Sequence, residues 1–235
     1  MLTLAIETSG PVGSVALFES GRVLQEQTLE LGRQHGQSLI PAIGRLLDCC
    51  GKTPRDCGLV AVSVGPGSFT GLRVGVTCAK TLAYAAGCRL AAVDTLEAIA
   101  CNAPPDVTTI EVISNANRGD VFAGRYVRTG SGSWARQGEI RMLGAPVWAA
   151  ALTPDDTVTG PGLDQFAALV EGRSKILAPR FRVPQAAWIA RLGIQANESG
   201  RLADLWSVEP LYFGPSSAEV QWEKLHPSGF PFPFE

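Results

Sequence analysis

The glycine-rich loop at residues 65–71 is the part of this sequence best suited to hold an anion. It lies between a short β-branched apolar run and a helical pattern. In that position main-chain N–H groups and the positive end of a helix dipole can face a phosphate. The candidate phosphate-binding residues in the loop are Gly65, Gly67 and Ser68.

The same loop departs from two established nucleotide-binding patterns. Leu72-Arg73 follows the last glycine, where a Walker loop needs Lys and then Ser or Thr. The spacing of the glycines is also one residue longer than in the GxGxxG fingerprint of dinucleotide-binding proteins. A tight turn explains the composition as well, with glycines that permit close packing and Ser68 or Thr70 as the cap of the next helix.

A second candidate for anion binding is the turn Glu7-Thr8-Ser9-Gly10, which follows the first apolar segment. The hydroxyls and main-chain amides of Thr8 and Ser9 could approach a phosphate. A plain turn accounts for the same residues. The turn has no second acidic residue beside Glu7, so it predicts no metal site.

No set of residues in the sequence predicts a catalytic centre. The chain has 2 histidines, His35 and His226, and two isolated histidines cannot supply a usual zinc site. Asp94 and Glu97 flank a predicted strand-to-helix turn, where carboxylates complement the helix N-terminus. Asp155-Asp156 lies in a predicted turn. We therefore predict no catalytic and no metal-binding residues.

The composition is that of a folded protein, because 46% of the 235 residues are hydrophobic and only 18% are charged. A formal net charge of −2 gives no basic surface, so we expect no direct grip on nucleic acid. The N-terminus lacks a basic segment, and no apolar run is long enough for a membrane helix. We therefore expect no membrane association, a cytoplasmic location and 6 reduced, structural cysteines.

Hydrophobic patterns and turn residues predict alternating strands and helices in the first half of the chain. Three strands with short linkers come first, which makes them antiparallel neighbours. The predicted strands are residues 2–7, 14–19, 22–31, 59–64 and 90–93, and the predicted helices are residues 37–50, 72–86 and 95–101. This order describes an α/β layer close to the ribonuclease-H-like arrangement.

The second half of the chain repeats this opening more weakly, after a boundary at residues 102–105. Strands are predicted at residues 108–114, 120–127 and 138–143, and a helix is predicted at residues 185–198. The predicted domains are an N-terminal lobe at residues 1–103, a smaller C-terminal lobe at residues 104–215 and a tail at residues 216–235.

The predicted helix at residues 72–86 is apolar over more of its surface than packing on one sheet requires. Its only polar stripe consists of Arg73, Thr77, Lys80, Thr81 and Tyr84. A second element or another chain must cover the remaining apolar surface. The pattern alone leaves a core helix and a partner surface both open.

Three runs of residues strongly resemble the TsaB (YeaZ) family: AIETS at residues 5–9, SVGPGSFTGLRVG at residues 63–75 and NANRGDVF at residues 115–122. In the second half the resemblance lies mainly in the third run and in Glu209-Pro210-Leu211-Tyr212. Members of this family are subunits of the bacterial machinery that makes N6-threonylcarbamoyladenosine in tRNAs that read codons beginning with A. Asn115 stands where the family often has Asp.

The resemblance implies an actin/Hsp70-like kinase (ASKHA) fold of two ribonuclease-H-like lobes, shared with the related catalytic subunit TsaD. In that relative a His-x-x-x-His pair binds the metal, and Thr95 and Ile99 stand at the matching positions of this chain. Neither side chain ligates a metal as imidazole does. The resemblance therefore implies a pseudo-enzyme, a non-catalytic scaffold that activates the transferase.

The resemblance further implies that such subunits pair with the catalytic relative through a helical bundle built from their first two helices. The candidate interface residues are Leu39, Ile43, Leu46, Leu72, Arg73, Val76, Ala79 and Leu82. A charge at Val76 or Ala79 is then expected to abolish pairing and leave the fold intact.

The resemblance also implies a larger assembly, with a TsaE-type ATPase as a third member. We expect contact with tRNA only through the partner, and a homodimer when the partner is absent. No cofactor is expected to bind tightly, and ATP or ADP would bind only within the complex.

The competing hypothesis is an enzyme in its own right. A weak nucleotide-binding ATPase of the actin-like class stays open, since Thr8, Ser9 and the glycine-rich loop could hold phosphates. A metallopeptidase is disfavoured, because the sequence has no HExxH motif and no usual zinc ligands.

Overall fold

A computed structural model describes residues 1–29, 35–130, 132–214 and 222 of the chain. The predicted tail at residues 216–235, Trp222 excepted, and the side chain of His35 lie outside the described residues. The strands are β1 (Leu2–Glu7), β2 (Ser14–Glu19), β3 (Arg22–Thr28), β4 (Cys57–Gly65), β5 (Arg89–Asp94), β6 (Thr109–Asn117), β7 (Asp120–Arg128), β8 (Trp134–Gly144), β9 (Thr157–Thr159) and β10 (Lys175–Ile176). The helices are α1 (His35–Cys49), α2 (Phe69–Ala86), α3 (Thr95–Ala100), α4 (Ala145–Ala150), α5 (Leu163–Val170) and α6 (Ala186–Glu198).

The first sheet has the strand order β3-β2-β1-β4-β5. β3, β2 and β1 are antiparallel neighbours, whereas β1, β4 and β5 run parallel. The central strands β1 and β4 are buried almost throughout, as expected where both faces of a sheet are covered. Because they are parallel, the turn after β1 and the glycine-rich loop after β4 emerge at the same edge of the sheet.

The second sheet repeats the topology of the first. Its order is β8-β7-β6-β9-β10, with β8, β7 and β6 antiparallel and with β6, β9 and β10 parallel. An antiparallel meander that continues into parallel strands is the ribonuclease-H-like arrangement, and it occurs twice. The predicted α/β fold of the actin/Hsp70-like class is confirmed.

Helices cover both faces of the first sheet. α1 and α2 pack on one face, and α6 packs on the other together with part of α3. α6 lies very close to the sheet, because Gly193 faces Ala61 with no space for a side chain between them. Among the described residues, no helix is long and apolar enough to cross a membrane.

α6 lies within the region predicted as the C-terminal lobe, but its apolar face packs on the first sheet. Ile189 and Ala190 contact the core that contains Ala61 and Ala91. The helical pattern of residues 185–198 predicts the helix, but it does not predict which of the two sheets the helix packs on. The domain boundaries after residues 103 and 215 stay predictions.

The predicted elements of the first half are confirmed, with differences at their ends. α2 begins at Phe69 rather than at Leu72, because the hydroxyl of Ser68 accepts a hydrogen bond from Gly71 N–H over 3.2 Å and caps the helix there. In the second half the hydrophobic pattern does not predict α4, α5, β9 or β10, which are all short.

All 6 cysteines are free. Burial raises the pKa of the Cys57 and Cys78 thiols to about 11. Both thiols are therefore protonated near neutral pH and pack as small apolar groups.

Candidate functional site

The turn after β1 and the glycine-rich loop after β4 pack directly against each other. Ser68 N–H donates a hydrogen bond to the Ser9 carbonyl over 2.7 Å. A side chain at Gly67 would overlap the same carbonyl, so only glycine allows this close approach. The structure thus brings together the two segments that hold all the predicted phosphate-binding residues, Thr8, Ser9, Gly65, Gly67 and Ser68.

The hydroxyls of Ser9 and Ser68 are engaged within these two segments, whereas the hydroxyl of Thr8 has no hydrogen-bond partner among the described residues. Glu7 Oε1 accepts hydrogen bonds from the main-chain N–H and from the hydroxyl of Ser9, each over 2.5 Å. The hydroxyl of Ser68 caps α2. Thr8 is fully buried, and its Oγ1 lies against Gly75 of α2. This geometry favours the tight-turn interpretation of the loop, and phosphate binding stays a prediction.

The structure corrects the choice of residues for the predicted partner interface. The buried ones are Leu39, Ile43, Leu46, Leu72, Val76 and Ala79. Of the others, Arg73 is exposed and Leu82 is half-buried. A side chain inside the core offers no surface to a partner. A charge at Val76 or Ala79 would be desolvated there and would destabilise the fold instead of testing the pairing.

α1 and α2 pack side by side and leave a shared surface, which we call the α1–α2 outer face. Ile40 is the large apolar residue that it exposes most, at 57%. Val74 of α2 lies beside Gly36 of α1, where the two helices approach each other. The exposed or half-buried residues of this face are Gln37, Ile40, Pro41, Gly44, Thr70, Val74, Thr77 and Thr81.

Residues 204–214, which we call the C-terminal strap, lie along the neighbouring side of α2. Lys80 Nζ donates hydrogen bonds to the carbonyls of Trp206 and Val208 over 3.1 and 3.2 Å. The rings of Tyr84 and Trp206 meet edge to face, with their centroids 5.7 Å apart. The chain itself therefore covers part of the polar stripe predicted on α2.

Arg73 links the strap to the start of α2. Its Nε donates a hydrogen bond to the hydroxyl of Tyr212 over 2.9 Å. Its guanidinium lies 4.0 Å from the centre of the Phe69 ring. The sequence already singles out Tyr212, because it belongs to the short second-half segment that resembles the family. It does not indicate that Arg73 is its partner.

The strap also joins the two lobes. Leu211 N–H donates a hydrogen bond to the carbonyl of Val64 in β4 over 2.7 Å. Two residues later, the rings of Phe213 and Phe122 of β7 lie 5.3 Å apart. Between the lobes the strap lines a narrow cleft of about 160 Å³.

Asp94 forms a second connection between the lobes. It ends β5, and its Oδ2 accepts hydrogen bonds from the Tyr126 hydroxyl and from Arg136 Nη1 over 2.7 and 3.2 Å. Its Oδ1 accepts from Leu96 N–H over 2.8 Å and caps α3, which is the role the sequence predicts. Burial raises the pKa of Asp94, although the donated hydrogen bonds and the Arg136 charge oppose the increase.

Glu97 lies beside Asp94 at the start of α3. Burial raises the pKa of Glu97 to about 7, and the neighbouring Asp94 charge adds to the increase. The positive charges of Arg201 and Arg136 act in the opposite direction. Both carboxyls line a groove of about 850 Å³ between α6 and β8. The charge of this groove therefore changes near neutral pH.

Thr95 and Ile99, the two residues that the resemblance matches to metal-binding histidines, are both buried. Within the part of the chain that the structure describes, no three His, Cys, Asp or Glu side chains are placed to hold a metal ion.

The sequence matches a known protein family. Residues 23–141, just over half of the chain, match the family model described as TsaD, tRNA N6-adenosine threonylcarbamoyltransferase. The chain is 39% identical over 126 residues to the tRNA threonylcarbamoyladenosine biosynthesis protein TsaB of Bacillus subtilis (strain 168). That alignment covers 54% of this chain and 55% of the relative, so it spans only about half of the relative's length.

Two further proteins are similar over nearly their whole length. The protein of the same name from Escherichia coli (strain K12) is 27% identical over 231 residues, which are 96% of this chain and 98% of the relative. The solved structure of YeaZ from Pseudomonas aeruginosa superposes with a TM-score of 0.77 at 25% identity, covering 90% of this chain and 99% of that one.

We predict that Gly75→Ala destabilises the protein by about 1–3 kcal/mol, because the new methyl group would overlap Thr8 Oγ1. That cost exceeds the roughly 1 kcal/mol that alanine gains over glycine within a helix. The measurement is urea unfolding followed by circular dichroism. Gly44→Ala in α1 is the matched control, since it has nothing within 4 Å of the added methyl group and should raise stability. Equal effects of the two substitutions would contradict the account.

We predict that the free energy of unfolding falls as the pH rises from about 4.5 to 7 and that Glu97→Gln makes this fall smaller. In the folded state Glu97 keeps its proton up to about pH 7, whereas the unfolded chain releases it near 4.5. The difference should be on the order of 2 kcal/mol, measured by denaturant unfolding across this pH range.

Glu198→Gln is the control for this pH dependence. Glu198 is exposed in the same groove, and the substitution removes the same charge. Its stability profile should run parallel to that of the unchanged protein. A Glu97→Gln profile that also ran parallel would contradict the protonation of Glu97.

Proposed function

Because this chain belongs to the TsaB (YeaZ) family, we propose that it acts in tRNA threonylcarbamoyladenosine biosynthesis as a non-catalytic subunit. It pairs with a TsaD-type transferase and activates it. Relatives named for this biosynthesis match the chain, one of them along nearly its whole length, which supports the pathway.

The observation that supports the pairing most is the α1–α2 outer face. A large apolar side chain, Ile40, is exposed on this face, whose other exposed or half-buried residues include the small or short Gly44 and Thr77. Short side chains allow the helices of a partner to approach closely, and the isolated apolar residue can insert between them. The same face would hold a second copy of the chain when the partner is absent.

The absence of catalysis in this proposal is supported by two features of the chain. Thr95 and Ile99 are buried, and neither supplies an imidazole where the catalytic relative binds its metal. The glycine-rich loop packs against Ser9, and the hydroxyls of Ser9 and Ser68 are bonded within the loop and turn. Both features fit a subunit that contributes a binding surface rather than catalytic residues.

The remaining members of the assembly follow from this role. A TsaE-type ATPase joins the pair, ATP or ADP binds only within the complex, and the machinery works in the cytoplasm. The tRNA is held mainly by the partner, because a net charge of −2 gives this chain little attraction for a phosphate backbone.

The pairing is tested by light scattering behind a sizing column, on the chain alone and mixed with a TsaD-type subunit. We expect a homodimer that converts to a one-to-one heterodimer. Ile40→Asp should weaken the heterodimer by about tenfold or more, because a charge would be buried at the centre of the contact.

Val147→Asp is the matched control, since Val147 is a β-branched residue on α4, at the second lobe, and is 66% exposed. It should pair as the unchanged chain does. Normal pairing of the Ile40→Asp variant would show that the α1–α2 outer face is not the contact, and a monomer indifferent to the transferase would overturn the scaffold role.

A further inference from the structure

A cavity that the proposed function does not use lies beside the middle of α6. Its volume is about 380 Å³, within the range of sites that hold small molecules. Aromatic side chains from separate parts of the chain form its walls: Phe18 from β2, Trp134 from β8 and Trp188 from α6. The described residues that line it include no Asp or Glu.

Two arginines line this cavity, and one of them is fully engaged. Arg128 Nε donates a hydrogen bond to the carbonyl of Val107 over 2.9 Å. Its two terminal nitrogens donate to the carbonyls of Gly132, Ala103 and Pro104 over 3.1–3.3 Å. The guanidinium also stacks 4.4 Å from the centre of the Trp134 ring. Arg128 therefore connects the segment at residues 103–107 with the loop at Gly132 through its hydrogen bonds.

The other arginine, Arg191, has its donors available. Its guanidinium lies 5.4 Å from the centre of the Phe18 ring and 5.2 Å from that of Trp188. The rings hold it in place without using its N–H groups, and among the described residues it has no hydrogen bond or ion pair. A guanidinium held by aromatic rings presents a planar fork that matches carboxylate and phosphate oxygens.

The floor of the cavity adds no competing charge. Cys101 lines it, and burial raises the pKa of this thiol to about 12, so the thiol stays neutral. Leu192 and Ile194 of α6 add apolar surface. The cavity therefore combines apolar walls with two positive charges, and of the two arginines Arg191 is the one whose N–H donors are available.

We propose that this cavity is a binding site for a small anion that carries a flat, apolar ring, with the fork of Arg191 holding a phosphate or carboxylate group. The ring packs against the apolar walls and on the free face of the guanidinium. An anion without a ring binds weakly, because a single exposed arginine contributes too little binding free energy. A ring without an anionic group also binds weakly, because it leaves the donors of Arg191 unused.

Isothermal titration calorimetry on the full chain tests this proposal with four probes. Adenosine 5′-monophosphate joins a ring to a phosphate, and 1-naphthoate joins a ring to a carboxylate. Adenosine is a ring alone, and inorganic phosphate is an anion alone. We expect at least one of the ring anions to bind with a Kd below about 1 mM, and the two half-ligands to bind about tenfold more weakly or worse. The ring anion that binds identifies whether phosphate or carboxylate is preferred.

Arg191→Gln should weaken the binding of the ring anion by about tenfold or more, since it removes the charged donor. Arg180→Gln is the matched control, because Arg180 is exposed, stacks 4.6 Å from the centre of the Phe181 ring and does not line the cavity. It removes the same charge and should leave the affinity unchanged.

Three results would overturn the proposal: no binding of either ring anion, equal affinity in the Arg191→Gln variant, or an equal loss in the Arg180→Gln variant. Melting curves of both variants, followed by circular dichroism, establish that they are folded. Arg191→Lys serves in place of the Gln variant if the latter does not fold, and it should also bind more weakly because it lacks the planar fork.

Discussion

The close approach of α2 to the turn after β1 is the constraint on which the first lobe depends. Gly67 and Gly75 have no side chains, so the loop rests on the Ser9 carbonyl and the helix on Thr8. This packing fixes how α2 lies across the sheet, and it thereby positions the strap, which lies along α2, and α1, which packs against both α2 and the sheet. The glycines that resemble a phosphate-binding loop thus allow close packing of main chain and helix, a structural role that involves no ligand.

An apolar core that α3 shares with the second sheet holds the second lobe against the first, and two further connections add to it. Asp94 uses one carboxylate oxygen to cap α3 and the other to bind Tyr126 and Arg136, so a local helix cap and a long-range contact share one side chain. The strap makes the other connection, through Leu211 and Phe213. The lobes are therefore positioned by apolar packing between α3 and the second sheet together with a few polar and aromatic contacts.

The sequence predicts the fold well because most first-half strands, β3 excepted, are strongly apolar and their turns are clearly marked by glycine and proline. It predicts less of the second half, where β9 and β10 are too short for a hydrophobic period to be visible. At the candidate site the helical pattern identified the face of α1 and α2 that enters the core, so residues such as Leu39 and Val76 were mistaken for a partner surface. Ile40 was missed because a single exposed apolar residue leaves no periodic signal.

The central claim is that the chain activates a transferase without performing the chemistry. The most direct test is the rate at which a TsaD-type subunit, with a TsaE-type ATPase and an activated threonylcarbamoyl donor, modifies tRNA in the presence and absence of this chain. The account predicts that the chain alone modifies no tRNA and that adding it to the other components increases the rate until one copy is present per transferase. Modification of tRNA by the chain alone, or a rate that does not respond to it, would contradict the account.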